Sequence, residues 1–321
     1  MIEFEPKDIS TQQVQQYILG GVAPRPIALV STLSADGKRN LSPFSFFNAF
    51  GVNPPTIAFS PARRIRDGST KHTYENLKET KECVVNAVTY SMVQQVNLAS
   101  TEYEAGVDEF IKSGLKPLAS DIVKPDRVAD SPFQMECRLN QIINLGHDRG
   151  SGNLAICEIV KFHISEDIID NGIIRPDMID LVGRNSANYY TRANGNAIFE
   201  VEKPITKKGI GYDALPEFIC NSKILTANNL GQLGNSESIP TEAELKQFET
   251  SIEKQTFVKE KYSRFKADKN PIEMLASAYQ LVVQKDKKAV FMLEETASVA
   301  LDNNNLTLAW MALLLAERLY Q

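Results

Sequence analysis

The sequence predicts a mainly β protein with some α, an antiparallel barrel or open antiparallel sheet followed by a C-terminal all-α module. Three observations carry that expectation. Residues 24–59, PRPIALVSTLSADGKRNLSPFSFFNAFGVNPPTIAF, alternate extended apolar runs with turn residues. Two long alternating runs, SPFQMECRLNQIINL (131–145) and NLAICEIVKFHIS (153–165), flank the hairpin loop GHDRGSG. Beyond Ile239 the alternation gives way to helical seams.

Taken in order, Ser10–Leu19 fits a short helix with Ser10 as N-cap, ended by Gly20-Gly21. Ile27–Leu33 is an aliphatic and β-branched strand that stops at Ser34-Ala35-Asp36-Gly37, where Asp braces a turn and Gly supplies positive φ. Leu41–Phe47 resumes extended structure, Asn53-Pro54-Pro55 breaks it, and Thr56–Ser60 completes a three-strand, meander-like stretch. Pro61–Ser69 is a charged loop with Arg63, Arg64, Arg66 and Asp67. A helix over Lys71–Lys81, a strand over Glu82–Val88 and a helix over Ser91–Leu98 follow. Thr101–Gly114 is a polar loop holding a short helix at Asp108–Ser113. In the first long run Glu136, Arg138 and Asn140 face one way, Met135, Cys137 and Leu139 the other. Asp177–Tyr190 ends the barrel-like part, so the first domain is drawn at 1–203, with a linker of short helices at 204–239.

Residues 240–321 read as the helical module. Thr241 and Glu244 make a capping box opening a charged helix to about Ala267, and Asn270-Pro271 with Glu273 opens another. Helices near Lys287–Leu301 and Leu306–Tyr320 are separated by Asn303-Asn304-Asn305. Their seams, Leu275, Ala278, Tyr279, Val282 and Leu308, Met311, Leu315, need mutual burial. The module carries no catalytic constellation, and an interaction or dimer-bracing role is expected of it.

Composition narrows the function classes. A net charge of −5 and no basic stripe with interleaved aromatics give no reason to expect nucleic acid. The opening MIEFEPKDIS lacks an apolar h-region, so no secretory signal is expected. The longest apolar run, Leu308–Ala316, falls short of the about 20 residues a membrane span needs. Cys83, Cys137, Cys157 and Cys220 are widely spaced, which fits reduced thiols in a cytoplasmic protein. Three histidines (72, 147, 163) without H-x-x-x-H spacing predict no zinc site, and His163, inside an apolar strand, is expected to be structural. No Ser/His/Asp or Cys/His pairing, paired-carboxylate signature, P-loop or G-x-G-x-x-G can be defended.

Two places suggest a ligand. Ser31 and Thr32 interrupt one apolar strand, and Ser42, Ser45 and Asn48 interrupt the next. A buried hydroxyl or amide without a partner costs about 1–3 kcal/mol, so each needs one. Either they are strand-end groups satisfied by backbone, or, beside Phe44, Phe46, Phe47 and Phe50, they face a planar ligand with polar edges. The second place is the helix start at Lys71. Helix N-termini offer unpaired N–H groups and about half a positive charge to an anion. Lys71 adds a charge and Thr73 a hydroxyl, with Asn76 on the same face; alternatively Thr70 or Thr73 is a plain N-cap. The arginines of 61–69 either solvate a loop or reach a phosphate or nicotinamide nucleotide.

The blocks RPIALVST (25–32), NLSPFSFFNAFGVNPPTIAF (40–59) and KHTYENLKETKECVVNAV (71–88), in this order and spacing, resemble the flavin reductase-like family with its FMN-binding split β-barrel. The likeness runs more loosely to Ile164 and is nearest the longer, flavoredoxin-like members. It implies a split antiparallel barrel holding FMN. In that resemblance Ser31, Thr32, Ser45, Lys71 and Thr73 serve the ribityl and phosphate, backbone N–H groups around Asn48, Ala49, Phe50 and Gly51 serve the ring edge, and Phe46 and Asn76 complete the cofactor-binding set. Lys71 and Thr73 match the family's phosphate positions; His72 stands where the family usually has Asp and receives no role. His147 is either a surface histidine or a contact of flavin and nicotinamide. Arg184, with Tyr189-Tyr190, either touches flavin or braces a dimer. The resemblance further implies NAD(P)H as co-substrate, electrons passing through flavin to free flavin, an acceptor protein or another acceptor, a lid in 101–114, and a homodimer with flavin near the interface. The other classes left open are an FMN-binding electron carrier without its own NAD(P)H site, and a non-enzymatic binder of another planar ligand such as haem.

Overall fold

In the computed structural model, which describes residues 1–201, 203, 207–253 and 255–320, residues 24–59 form four strands instead of three. They are β1 (Ala28–Leu33), β2 (Arg39–Phe44), β3 (Phe47–Val52) and β4 (Pro55–Phe59). Before them, α1 (Thr11–Gly21) starts at a capping box between Ser10 and Gln13. It runs through Gly20-Gly21 rather than stopping there, because Arg25 reaches back to accepting carbonyls at Leu19 and Val22. After them come α2 (His72–Thr80), β5 (Glu82–Ala87), α3 (Val93–Ala99) and α4 (Glu109–Ser113), the last capped by Asp108. A small hairpin, β6 (Pro117–Leu118) with β7 (Arg127–Val128), leads to the two long strands β8 (Phe133–Asn144) and β9 (Asn153–Ile164). The unit closes with hairpin β10 (Ile169–Asp170) and β11 (Ile173–Ile174), the turn α5 (Pro176–Ile179), and hairpin β12 (Val182–Arg184) and β13 (Tyr190–Arg192).

The main sheet is antiparallel, in the order β2-β1-β5-β8-β9-β4-β3. β2 and β3 are therefore its opposite edges, yet only Ser45 and Phe46 separate them in the chain. Three Cα steps span at most about 11 Å, so the sheet must curl until its edges approach one another. That crossing splits the expected Leu41–Phe47 strand and replaces the expected meander: hairpins β1–β2 and β3–β4 border opposite edges. No β2–β3 ladder occurs among the described residues; instead the Ser60 amide donates to the Phe46 carbonyl at 2.9 Å.

Successive residues of β1 serve two cores, as strand alternation dictates. Ala28 and Val30 pack with Phe44, Ile57, Phe59, Leu77 and Val85 inside the curl. Leu29 packs on the other face with Leu41, Met92, Val96 and Phe110, under α3 and α4. Cys83, Cys137 and Cys157 are buried free thiols on the inner face. On β8, Glu136 is fully buried and accepts from the amides of Asp121 (2.9 Å), Ile122 (2.6 Å) and Val123 (2.9 Å), while His163 Nε2 lies 2.6 Å away. Burial pushes its carboxyl up, but these donors outweigh it and hold the pKa at about 2. Asp121, Glu136 and His163 come within metal-ligating reach of one another, but Glu136 is saturated and Lys161 sits on Asp121; the group clasps a loop to the sheet. His163 has the structural partner its strand position requires.

The chain folds as two compact units, Met1–Glu200 and Val201–Gln321. The second unit holds α6 (Glu217–Cys220), α7 (Ala227–Gly234), α8 (Glu242–Glu249), α9 (Lys259–Ala267), α10 (Pro271–Val283), α11 (Lys288–Asp302) and α12 (Leu306–Tyr320). Where described, the segment expected to be a linker belongs to this unit's core, through Leu215, Ile219, Leu225, Leu230 and Leu233; its residues 204–206 lie outside the described ones. The single charged helix expected to Ala267 is two. Thr250 and Ser251 turn their hydroxyls back onto the carbonyls of Gln247 and Phe248, ending α8, and Ile252, Thr256 and Val258 are poor helix continuers. Leu308–Ala316 is buried all round because α12 is the central helix of this core. No described helix is long and apolar enough to cross a membrane.

Candidate functional site

Adjacent on β1, the hydroxyls of Ser31 and Thr32 point to opposite faces. Ser31 donates to the Asp126 carbonyl beneath the β6–β7 hairpin. Thr32 Oγ1 accepts from Asn40 Nδ2 (3.1 Å) and Asn76 Nδ2 (3.0 Å), and Asn40 Nδ2 also donates to Thr73 Oγ1 (2.9 Å). All four side chains are buried. The network therefore brings Thr32, Thr73 and Asn76 together, with Asn40 as the member that sequence reasoning passed over. It ties α2 to β1 and β2.

That anchoring presents the first turn of α2. Lys71 is its N-cap and supplies no side-chain cap; the amides of His72 and Thr73 have no intrahelical acceptor. Around this turn stand Lys71, Arg64 and Arg66, all directed at Glu102. Arg64 Nε is 2.9 Å from Glu102 Oε1, Lys71 Nζ 3.5 Å from the same oxygen, and Arg66 Nη2 3.3 Å from Oε2. Burial and the Arg64 charge lower the Lys71 pKa against the opposing pull of Glu102. Burial raises Glu102, but Lys71, Arg64 and Arg66 outweigh it and leave its carboxyl below the ordinary range. Burial, then Arg64 and Lys71, lower the His72 pKa, favouring the neutral ring. A doubly charged anion is what this cluster is suited to attract.

Ser45 sits at the crossing between the sheet edges and accepts from Arg25 Nε at 3.3 Å. Beyond it β3 is an edge strand, with Phe46, Asn48, Ala49, Phe50 and Gly51 exposed along it. Asn48 Oδ1 accepts from the Ala49 amide at 2.8 Å. The strand bulges between Ala49 and Gly51, and a Cβ on Gly51 would press on the Pro54 carbonyl at 3.3 Å, which favours glycine there. Phe50 and Val52 are 69% and 94% exposed, leaving an open apolar shelf.

His147 is exposed in the β8–β9 loop. That loop lies against the arginine loop: the Arg63 amide donates to the Ser151 carbonyl at 2.9 Å, and Gly68 faces the Arg149 stem. Arg184 pairs in backbone with Arg25, lies 4.6 Å over the Tyr190 ring, and helps line a cavity of about 430 Å³ with Tyr90, Gln94, Asn97 and Arg192. Arg25 is the hub that sequence reasoning missed: its buried guanidinium donates to the carbonyls of Leu19, Val22 and Asn185 as well as to Ser45. The only local signal was its place at the head of RPIALVST. Glu102 had no signal at all, since its partners lie more than thirty residues upstream.

The chain is 32% identical over 201 residues to an uncharacterised protein of Aquifex aeolicus, covering 62% of this chain and all of that one. Among solved structures it is similar to nitrilotriacetate monooxygenase component B from Bacillus cereus (28% identity, TM-score 0.59, 63% of this chain and 98% of that one). It is also similar to the Pseudomonas fluorescens 2-nitrobenzoate 2-nitroreductase NbaA (27% identity, TM-score 0.56, 65% and 100%). Residues 20–186 match the flavin reductase like domain, so Val201–Gln321 lies beyond the match. With more than half of its residues inside that match, the chain belongs to the flavin reductase-like domain family.

Proposed function

We propose that Met1–Glu200 binds FMN and acts as an oxidoreductase, taking electrons from NAD(P)H and delivering them to an acceptor. The observation that carries the reading is the convergence of Arg64, Arg66 and Lys71 on the open first turn of α2. Three cations and unpaired amides suit a phosphate monoester dianion better than any neutral group. The opposite requirement of the ligand, an apolar plane with polar edges, is met by Phe46 and Phe50 beside the edge backbone of β3. The residues therefore fit FMN at both ends.

Bound here, FMN would supply the chemistry of hydride acceptance from a reduced nicotinamide and of electron release to an acceptor. The chain's own contribution is positional. Lys71, Arg64 and the α2 amides hold the phosphate, while the Thr32–Asn40–Thr73–Asn76 network keeps that turn fixed to the sheet. Ser45, itself fixed by Arg25, borders the ribityl side, and β3 carries the ring. The neighbouring NbaA reduces nitrobenzoate, by its name, and an acceptor protein or small oxidant serves equally in this reading. The open shelf at Phe50 and Val52 calls for cover, and a second copy of the chain, forming a homodimer, supplies it in this proposal.

Titration of the purified chain with FMN, read by flavin absorbance and fluorescence, tests the reading, followed anaerobically by NADH and by NADPH. Saturable FMN binding with nucleotide-driven bleaching supports it. Binding without bleaching by either nucleotide leaves an electron carrier. A chain indifferent to FMN but showing a Soret band with haem overturns the assignment.

A further inference from the structure

Glu102 is the carboxylate on which Arg64, Arg66 and Lys71 converge. It lies in the irregular segment 101–107, outside helix or strand, with its side chain 40% exposed. Among the described residues it is the only carboxylate paired with Arg64 or Lys71. Arg64 and Arg66 have partners besides Glu102, Arg66 in Asp67 at 3.2 Å, and the Lys71 backbone is placed by α2. Arg64 Nη1 is held separately by Ser69 Oγ (3.0 Å) and the Thr70 carbonyl (2.5 Å), and Lys71 is fixed as the N-cap of α2. Thr70 Oγ1 is in turn held by Glu75 at 2.6 Å. Arg64 and the Lys71 backbone are thus placed by their own loop and helix, with Glu102 as a counter-ion from a separate, irregular segment.

We infer that Glu102 is a built-in competitor for the phosphate end of the ligand, displaced by a phosphate monoester dianion and setting how readily the phosphorylated ligand exchanges. This rests on the FMN reading above. A phosphate dianion brings more charge and one more acceptor oxygen than a carboxylate, so it can replace Glu102 among three cations. A neutral hydroxyl end cannot, and leaves Glu102 in place. Glu102 therefore weakens binding of FMN while leaving riboflavin untouched, which keeps FMN an exchangeable ligand instead of a permanent one.

The test compares the full chain with Glu102→Gln and Glu102→Asp, titrated with FMN, riboflavin and inorganic phosphate. Glu102→Gln should tighten FMN about tenfold, the effect of one nearby charge in a partly screened site, and slow its release in proportion. Riboflavin affinity should not change, and Glu102→Asp, which keeps the charge, should stay near the wild type. FMN binding that is unchanged or weakened in Glu102→Gln overturns the inference, as does equal tightening of both flavins, which would signal a loop effect without charge competition. If neither flavin binds either protein, the FMN reading fails and inorganic phosphate decides by calorimetry. Tighter phosphate in Glu102→Gln keeps the competitor role for another phosphomonoester; no gain removes it.

Discussion

Replacing Thr32 by valine separates a hydroxyl that builds the site from one that touches the ligand. The side chain is buried, and its oxygen accepts from both Asn40 and Asn76. In Thr32→Val, Asn40 Nδ2 keeps Thr73 at 2.9 Å, whereas Asn76 Nδ2 loses its partner. One buried donor left unsatisfied costs about 1–3 kcal/mol, so a loss of about 2 kcal/mol is expected instead of twice that. For a unit of this size the melting temperature of Met1–Glu200 should fall by about 4–8 °C. Thermal and urea unfolding of the full chain, following the sheet unit, measures it; Thr32→Ser should recover most of the loss. FMN affinity should weaken only through loosening of α2, by less than the Lys71 variant below. A Thr32→Val protein as stable as wild type but strongly impaired in FMN binding would refute the reasoning and make Thr32 a direct ligand contact.

Lys71→Ala should weaken FMN about tenfold or more while sparing riboflavin, and equal loss for both in parallel titrations would remove Lys71 from the phosphate role. Arg25→Met should destabilise by about 3 kcal/mol in urea unfolding, since the α1-terminal carbonyls of Leu19 and Val22, the Asn185 carbonyl and Ser45 all lose their donor; a change under about 1 kcal/mol would show that water replaces it. The Glu136 carboxyl, held at about 2, lies below its unfolded value near 4.3, so its contribution is fully present above that value. It is lost as pH falls from about 4.3 toward 2, at most roughly 3 kcal/mol. Glu136→Gln should flatten stability across that window, and acid unfolding curves that stay parallel would contradict it.

Local features were legible in the sequence and closure was not. The N-cap at Ser10, the capping box at Thr241, the Asn270-Pro271 start and the alternation of β9 are written within a few residues, and the structure has them, whereas the pairing of β8 with β9 shifts register at Glu136/Cys137 and Leu139/Gln141. The seam residues of α10 and α12 likewise lie in the helical core. By contrast, the break at Ser45-Phe46 follows from β2 and β3 ending on opposite edges of one sheet, which no window of residues encodes. Leu230 and Leu233 read as linker because Asn and Gly surround them, although their burial in the helical core beside α11 and α12 overrides that local polarity. At the site, the hydroxyls of Ser31 and Thr32 look equivalent as neighbours, yet the pleat sends them to different partners.

The same contrast explains how the site is built. Its recognisable motif residues are largely consumed in holding the frame: Thr32, Thr73 and Asn76 satisfy one another through Asn40, and Ser45 is fixed by Arg25. The charged groups at the helix mouth, Arg64, Arg66 and Lys71, come from a loop and a helix start of irregular spacing and share Glu102 as counter-ion, Arg66 also pairing with Asp67. Rigidity and attraction are thus assigned to different residues. A buried network can place a helix turn to within the tolerance a phosphate needs, because each of its members would lose a hydrogen bond by moving. A partly exposed cation cluster could not hold that geometry alone, since an ion pair open to solvent is worth about 0–1 kcal/mol. It follows that substitutions in the network should register first as stability and those in the cation cluster first as affinity, and a variant set in which the two effects are interchanged would dismantle this division of labour.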